Sequence, residues 1–395
     1  MNNTQKKNYA LPIAMMFALF FMIAFVTNLA NPFGVIVKNQ FEASNFMSQL
    51  GNFANFLAYL FMGIPAGILL SKIGYKKSAL LAIIIGIVGV GITYISGQAE
   101  SFGIYVFGAF VSGFSMCLLN AVVNPLLNVM GKNEKQGNQL LQFGGTFNSI
   151  GATLVPIIVG YLMGSNEATR TIAKANPALF LAIGVFILAF LVLFFMNIPE
   201  PHLVKEKKTE KDSHSALSFN HFRMGMLAIF CYVGVEVGLS HPTNIFMTTD
   251  ISEGGLGIDP TVAGTVVGTY WFLMMCGRLL GGLIGGKISS RAMLSVVASI
   301  GVIFVFLGIF LPVGTLVDMP VFRSNISFGL ERIPINIMFI ILGGLCTSVM
   351  WGSIFNLATS GLGKYTAQAS GLFMMMVVGG GVLPLLQGWI AEPPH

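Results

Sequence analysis

Long apolar stretches alternate with short polar segments along almost the whole chain. Eleven of these stretches contain about 20–29 residues each, and about 20 apolar residues in a helix cross the hydrocarbon core of a bilayer. Because that core offers no water to the backbone, a helix is favoured there, since it satisfies its own N–H and C=O groups. We therefore predict eleven membrane-spanning helices, at residues 10–36, 46–70, 77–98, 102–130, 138–163, 176–196, 222–248, 261–285, 292–312, 334–361 and 365–390.

The second half of the chain repeats landmarks of the first half in the same order. The matching positions lie 210 to 232 residues apart: Gly67–Lys77 with Gly282–Arg291, Asn31 and Pro32 with His241 and Pro242, Asn124 and Gly131 with Asn356 and Gly363, and Pro156 and Gly160 with Pro384 and Gly388. Parallel repeats of this kind occur in transporters whose two halves rock around a central site. The repeat indicates an all-α membrane protein built from two six-helix bundles.

A charged segment divides the two predicted bundles. Residues 205–212 are mostly Lys, Glu and Asp, a composition typical of a solvated linker. We predict an N-terminal bundle at residues 1–200, a cytoplasmic linker at 201–221 and a C-terminal bundle at 222–395. The bundles should be related by a pseudo-two-fold axis along the membrane normal, and the first, fourth, seventh and tenth helices should line a central cavity.

The repeat also predicts a twelfth apolar stretch, equivalent to 176–196, after residue 390. The sequence contains no further apolar run there. We therefore expect the printed sequence to be a shortened form of a longer protein, and a true eleven-span protein is the alternative.

Composition and charge place the chain in a membrane with its N-terminus in the cytoplasm. Hydrophobic residues make up 55% of the chain and charged residues 9%, whereas soluble domains carry about 25% charged residues. Fifteen of the 21 Lys and Arg residues fall in loops on the side of the N-terminus, and such a bias marks the cytoplasmic side. The net charge of +6 therefore does not indicate nucleic acid. We expect a monomer surrounded by lipid in a cytoplasmic (inner) membrane.

Polar side chains inside the predicted spans are candidates for a binding site, because they are costly in a membrane. Asn28 and Asn31 share one face of the first helix, and Asn120 and Asn124 share one face of the fourth. Such amides suit a ligand rich in hydroxyl groups, although they could instead only join neighbouring helices. The predicted substrate contacts are Asn28, Asn31, Asn120, Asn124, Gln142, Asn148, Tyr232, Trp351 and Asn356.

Glu236 is the only acidic residue deep within a predicted span. It could exchange a proton during transport, hold a sodium ion, bond a sugar hydroxyl or serve as a structural partner. We assign it to coupling. Arg278, near one end of the eighth span, is interpreted as a gate or packing residue and not as a ligand contact.

Several other classes of function lack their motifs. No glycine loop is followed by the Lys-Ser/Thr pair of a nucleotide-binding loop, so an ATP-driven pump is unsupported. No catalytic grouping and no metal cluster with suitable spacing is evident. We expect neither enzyme activity nor a cofactor nor a metal site.

Specific segments resemble a known family. Gly67–Lys77 resembles the loop signature of the major facilitator superfamily. More narrowly, the combination resembles the fucose:proton symporter family, which includes bacterial glucose/galactose transporters. The segments that carry this resemblance are Asn28–Asn31, Asn124-Pro125, Thr146–Gly151, Phe230–Glu236 and Gly380–Pro384.

The chain departs from that family pattern at four positions. Ser71 replaces the usual acidic residue of the loop signature, and Gly145 stands where a Gln is expected. Asn31 stands where the fucose symporter pattern has Asp, and Asn120 where it has Glu. The resemblance implies that those two carboxylates serve proton coupling and sugar binding, so Glu236, which matches the glucose/galactose branch, becomes the main coupling candidate.

The resulting hypothesis is a secondary transporter that imports a neutral sugar, a hexose or small saccharide, by alternating access. Coupling to a proton or sodium gradient is favoured over a uniporter, because a deep carboxylate is expensive unless used. A membrane sugar sensor that does not transport is the alternative outside transport. An exporter of apolar drugs would need a greasier cavity than these amides provide.

Overall fold

The computed structural model describes residues 9–40, 45–163, 172, 175–200, 214–323 and 325–391. These residues form α-helices, short 3₁₀ turns and one β-hairpin. The helices are α1 (Ala10–Gln40), α2 (Asn45–Gln98), α3 (Phe102–Met130), α4 (Glu134–Met163), α5 (Asn176–Phe195), α6 (Asn220–Thr248), α7 (Pro260–Gly285), α8 (Ser290–Phe310), α9 (Ile335–Ser348), α10 (Met350–Thr359), α11 (Thr366–Met375) and α12 (Gly379–Ala391).

The apolar stretches are helical, as predicted. Within the described residues, nine helical segments are long and apolar enough to cross a membrane. One of them, Leu50–Gln98, has 49 residues, which at 1.5 Å per residue is roughly twice the thickness of a bilayer core. The 30 residues of α4 are also long enough for one crossing. On α8, Val302, Phe306 and Phe310 are exposed, as expected of a helix that faces lipid.

Two predicted spans are joined in α2 across a break at a single glycine. Gly74 has φ 83° and ψ 175°, a backbone conformation that suits glycine because it has no Cβ. The helix resumes at Tyr75, whose N–H donates to Glu200 Oε2 at 2.7 Å, while the Lys76 N–H donates to Glu200 Oε1 at 2.9 Å. A carboxylate satisfies the free N–H groups at the start of a helix. Glu200 thereby ties the chain after α5 to the loop signature.

A β-hairpin lies where the sequence indicated only a loop. Strand β1 (Leu316–Arg323) pairs antiparallel with β2 (Ser327–Pro334), with Phe322 opposite Phe328. The Phe322 N–H donates to Thr269 Oγ1 at 2.9 Å, which fixes the hairpin to α7. The sequence pattern that could have predicted this strand is the alternation of buried and exposed positions, with Met319 and Val321 buried. Such alternation is typical of a half-buried strand.

The helices pack in two groups that meet along a long interface. In the first half α1 packs against α4, and α2 packs against α3 and α5; in the second half α6 packs against α10 and α12, and α9 packs against α7 and α8. The groups meet where α4 packs on α7 and where α2 packs on α11. Residues 201–213 of the predicted linker lie outside the described residues, so the bundle boundaries and the pseudo-two-fold axis stay predictions.

The crossing of α2 and α11 depends on small residues. A Cβ added at Gly371 would overlap the Gly63 carbonyl oxygen and the Gly67 backbone. Both neighbours are backbone, so the helices would have to separate, and overpacking of this kind costs about 1–3 kcal/mol. We expect Gly371→Ala to lower the midpoint of thermal unfolding in detergent. The matched control is Gly91→Ala, where an added Cβ meets no atom within 4 Å; equal midpoints for the two variants would contradict the close crossing.

Candidate functional site

A cavity of about 210 Å³ lies between the two groups of helices. Side chains of α1, α2, α3, α4, α6 and α7 and of the α9–α10 junction form its wall, which agrees with and extends the predicted set of lining helices. The polar lining residues are Thr27, Asn28, Asn52, Asn120, Gln142, Asn148, Ser149, Glu236, His241, Arg278 and Ser348, and the aromatic ones are Phe20, Phe56, Tyr59, Trp271 and Trp351.

The amides of α3 form a short hydrogen-bonded chain beside the cavity. Asn120 Nδ2 donates to Tyr59 Oη and to the Met116 carbonyl oxygen, both at 3.1 Å. Asn124 Nδ2 donates to Asn120 O at 2.9 Å, and Trp351 Nε1 donates to Asn124 Oδ1 at 3.0 Å. The four-residue spacing of the two amides places them on one helix face. Asn120 therefore lines the cavity, while the fully buried Asn124 holds the Trp351 ring from behind.

Two further amides come from α4. Gln142 Nε2 donates to Asn138 Oδ1 at 3.2 Å and across the interface to Val349 O at 3.0 Å. Asn148 Nδ2 donates to Phe20 O on α1 at 3.1 Å. Val349 separates α9 from α10, so the interruption of this predicted span supplies an acceptor to the other half.

Glu236 is paired with Arg278. Arg278 Nη2 lies 3.5 Å from Glu236 Oε1, and the two side chains are 10% and 13% exposed. Arg278 Nη1 donates to Ser149 Oγ at 2.8 Å and to Gly145 O at 3.3 Å on α4, and Nε donates to Ser348 O at 3.3 Å. The guanidinium thus joins α6, α9 and the opposite half of the molecule. Glu236 and Arg278 therefore line one cavity as an ion pair, and the interpretation of Arg278 as a gate or packing residue stays a prediction.

Gly145 makes room for this arginine. A Cβ at Gly145 would lie 3.1 Å from Arg278 Cδ, which is tighter than an ordinary van der Waals contact. A longer side chain on this face of α4 would compete with the guanidinium for the same space. Gly145 stands where the family pattern has Gln, and the Arg278 side chain occupies the space beside it.

Side chains of the two halves also join at one end of the molecule. Asn356 Nδ2 donates to Asn128 Oδ1 at 2.6 Å and to Glu134 O at 3.2 Å, and Asn128 Nδ2 donates to Thr359 Oγ1 at 3.1 Å. Ser290 Oγ donates to Asn356 Oδ1 at 2.7 Å. We call this group of five residues the latch. It lies where α3 ends and α4 begins, and it joins the two halves through neutral hydrogen bonds.

Comparison with known proteins identifies the family. The family model described as Major Facilitator Superfamily matches residues 16–384. The chain belongs to the major facilitator superfamily. It is therefore a multi-pass membrane transporter and not an enzyme.

Individual relatives and structures agree with this assignment. The chain is 28% identical over 396 residues to the "Glucose/galactose transporter" of Brucella abortus biovar 1 (strain 9-941), covering 98% of this chain and 90% of the relative. It is 22% identical over 415 residues to the "L-fucose-proton symporter" of Escherichia coli (strain K12), covering 98% and 88%. Its fold is similar to the crystal structure of the major facilitator transporter FucP in the outward conformation, with a TM-score of 0.78, 20% identity and coverage of 97% and 92%.

The structure brings most of the predicted site residues of this transporter together. Asn28, Asn120, Gln142, Asn148, Trp351 and Glu236 line the cavity. Asn124 and Tyr232 lie behind its wall, and the Tyr232 hydroxyl is buried. The side chain of Asn31 lies outside the described residues. Asn356 belongs to the latch, outside the residues that line the cavity, and its assignment as a substrate contact stays a prediction.

Three further residues line the cavity although the sequence pattern did not point to them. Asn52 and Tyr59 lie on the second predicted span, which the repeat did not single out, and Trp271 lies on the eighth. Their polar atoms inside apolar stretches were a usable signal. His241 was noted in the sequence, and it also lines the cavity.

Loss of the latch should shift the conformational equilibrium of this transporter. Asn356→Ala removes the bonds to Asn128, Glu134 and Ser290 and leaves the cavity wall intact. We expect spin labels at Lys132 and Lys364, on the two halves, to report an increased population of longer distances. The matched control is Ser299→Ala, whose hydroxyl is exposed on α8 and bonds only within its own helix. An unchanged distance distribution in the Asn356 variant would show that the latch does not hold this end closed.

Proposed function

We propose that this protein imports a neutral sugar by alternating access and couples the import to a proton gradient. The observation that carries the proposal is the cavity between the halves, which is lined by amides and indole-bearing residues and contains the Glu236–Arg278 ion pair. The names of its relatives, a glucose/galactose transporter and an L-fucose-proton symporter, point to the same substrate class.

The lining suits a monosaccharide. A sugar presents hydroxyl groups around its edge, and amide side chains both donate to and accept from hydroxyls. Trp271 and Trp351 offer ring faces for the apolar C–H face of a sugar ring. A volume of about 210 Å³ suits one small solute rather than an oligosaccharide.

The charges of the loops support an orientation for this transporter in the membrane. The excess of Lys and Arg in the loops on the N-terminal side supports a cytoplasmic N-terminus in the inner membrane. With that orientation the latch lies at the cytoplasmic end, because α1 begins at the same end as α4. The described state is then closed toward the cytoplasm, and sugar enters the cavity from outside. A functional monomer of two bundles, 1–200 and 222–395, is part of this proposal.

The ion pair provides a physical route to coupling. Arg278 lies in the C-terminal half but donates to Ser149 and Gly145 in the N-terminal half. Neutralising Glu236 would leave the guanidinium without its charge partner and so change a contact between the halves. A buried charge that loses its partner is strongly destabilised. The occupancy of Glu236 by a cation can therefore bias one conformation of the transporter over the other.

The nearby guanidinium favours a proton over sodium as the coupling ion. A sodium ion bound at Glu236 would lie close to the positive charge of Arg278, and two like charges at short range in a poorly hydrated site repel strongly. A proton removes the charge of the carboxylate without adding a second cation beside the arginine.

Replacing Glu236 with Gln should separate coupling from transport. Glu236→Gln preserves side-chain size but removes the group that accepts the proton. We expect gradient-driven accumulation of sugar in proteoliposomes to be lost, while exchange of sugar at equal concentrations survives. The matched control is Glu331→Gln, which removes the carboxylate of another Arg–Glu pair, 2.8 Å from Arg323 in the hairpin, and should leave accumulation unchanged. Wild-type protein that never accumulates sugar under a proton or sodium gradient would instead be a uniporter.

Removing a cavity amide should weaken sugar binding. A lost hydrogen bond that leaves a buried partner unsatisfied costs about 1–3 kcal/mol, which corresponds to about tenfold or more in Kd. We expect Asn120→Ala and Gln142→Ala each to weaken binding by about tenfold in calorimetry with D-glucose or D-galactose. Asn325→Ala, in the exposed turn of the hairpin, should not change affinity. Unchanged affinity in both cavity variants, with unfolding midpoints close to wild type, would place the sugar elsewhere.

A further inference from the structure

Two amides of the cavity wall, those of Asn120 and Gln142, direct both of their N–H bonds toward the protein. Both N–H bonds of Asn120 have protein acceptors, Tyr59 Oη and Met116 O. Both N–H bonds of Gln142 do as well, Asn138 Oδ1 and Val349 O. An amide nitrogen has only two hydrogens, so neither nitrogen retains a donor for a ligand.

The orientation of these amides is fixed by chemistry. Oxygen and nitrogen of an amide are hard to distinguish by shape alone. Here Asn120, Gln142 and Asn148 each contact a backbone carbonyl oxygen, which can only accept. The nitrogen must therefore face the carbonyl, and the side-chain oxygen must be the other atom.

The oxygens of the same amides remain available. Gln142 Oε1 and Asn148 Oδ1 make no hydrogen bond within the described part of the protein. Neither oxygen is fully buried, so both are accessible from the cavity. Asn120 Oδ1 receives only a long contact from Asn124, at 3.4 Å, and an amide oxygen has two lone pairs. All three residues line the cavity.

Their charged and aromatic neighbours follow the same pattern. Four contacts of Arg278 go to protein acceptors, and the Trp351 N–H is bonded to Asn124. Ionised Glu236 has only acceptor atoms. These contacts occupy most of the donors of Arg278 and the one donor of Trp351, so the open polar atoms of Asn120, Gln142 and ionised Glu236 are oxygens.

We propose that the sugar binds with its hydroxyl groups acting as hydrogen-bond donors to a wall of oxygens formed by Asn120, Gln142, Asn148 and Glu236. This inference rests on the proposed sugar transport. It adds the polarity of the hydrogen bonds: at these four residues the sugar hydroxyls donate and the protein oxygens accept. Trp271 also lines the cavity, and its indole N–H would serve the oxygen atoms of the sugar that remain.

Deoxy and deoxyfluoro sugars test this polarity directly. Fluorine in place of a hydroxyl keeps a weak acceptor but has no proton to donate. Binding of D-glucose, D-galactose and their mono-deoxy and mono-deoxyfluoro analogues would be measured by calorimetry on the purified full chain. At the hydroxyls that face the oxygen wall, we expect the fluoro and deoxy analogues to lose affinity equally, by about tenfold each.

Protein variants link that loss to particular oxygens. Gln142→Met and Asn148→Leu keep similar bulk but remove the amide, that is, the open oxygen together with the nitrogen that bonds Val349 O or Phe20 O. Each variant should bind the parent sugar and one pair of analogues with equal affinity. That pair is the one altered at the hydroxyl that contacts the removed oxygen in the wild-type protein. Two variants on different turns of α4 keep the test valid if one of them folds poorly.

The possible outcomes distinguish the two proposals. Fluoro analogues that bind as well as the parent sugar, while deoxy analogues bind weakly, would show that the hydroxyls act as acceptors and would overturn the oxygen wall alone. Deoxy and fluoro analogues that all match the parent would overturn it too. Failure of D-glucose, D-galactose and L-fucose to bind at all would overturn the proposed function, and this inference with it.

Discussion

Arg278 places a permanent positive charge inside a bundle of mostly apolar helices. An arginine remains charged in proteins, so it needs acceptors all around it or the surrounding membrane would oppose its burial. The structure supplies them from four directions: the Glu236 carboxylate, the Ser149 hydroxyl and the carbonyl oxygens of Gly145 and Ser348. Several features that look independent in the sequence meet this one requirement.

Those features include a missing side chain and a broken helix. The absence of a Cβ at Gly145 opens the space through which the guanidinium reaches α4. The end of α9 at Ser348 and the junction at Val349 supply carbonyl oxygens to Arg278 and Gln142. Because Arg278 lies in one half and some of its acceptors lie in the other, the contacts that stabilise its buried charge cross the interface. The two halves would move along this interface.

The sequence contained most of the fold but only part of the site. Spans are set by local apolar length, so their positions could be predicted, whereas the hairpin depends on tertiary packing of Met319 and Val321 against α7 and α9. Glu236 stood out because it is acidic in an apolar stretch. Its partner could not be found that way, since the pairing depends on how α6 and α7 pack. Asn356 lies outside the cavity wall, because helical spacing indicates a face but does not tell how far along the bundle the cavity extends.

The amides of the cavity wall bear on an alternative that the sequence left open. Polar groups in a membrane were expected either to hold helices together or to contact a ligand. The geometry allows both in one side chain, because an amide carries donors at one atom and an acceptor at the other. In Gln142 the nitrogen joins the two halves while the oxygen remains open. Packing thus orients the groups that a ligand would meet.

The neutral bonds of the latch determine how much free energy is needed to separate the two halves at that end. Its bonds join neutral amides, hydroxyls and a carbonyl oxygen, and each of these can be replaced by a bond to water when that end opens. An exchange of this kind changes free energy by only about 0.5–1.5 kcal/mol per bond, and it is not screened by ions as a pair of surface charges is. Each latch bond would therefore be exchanged for a bond to water at a small and similar cost in free energy. Opening of the latch would respond to the activity of water more than to ionic strength.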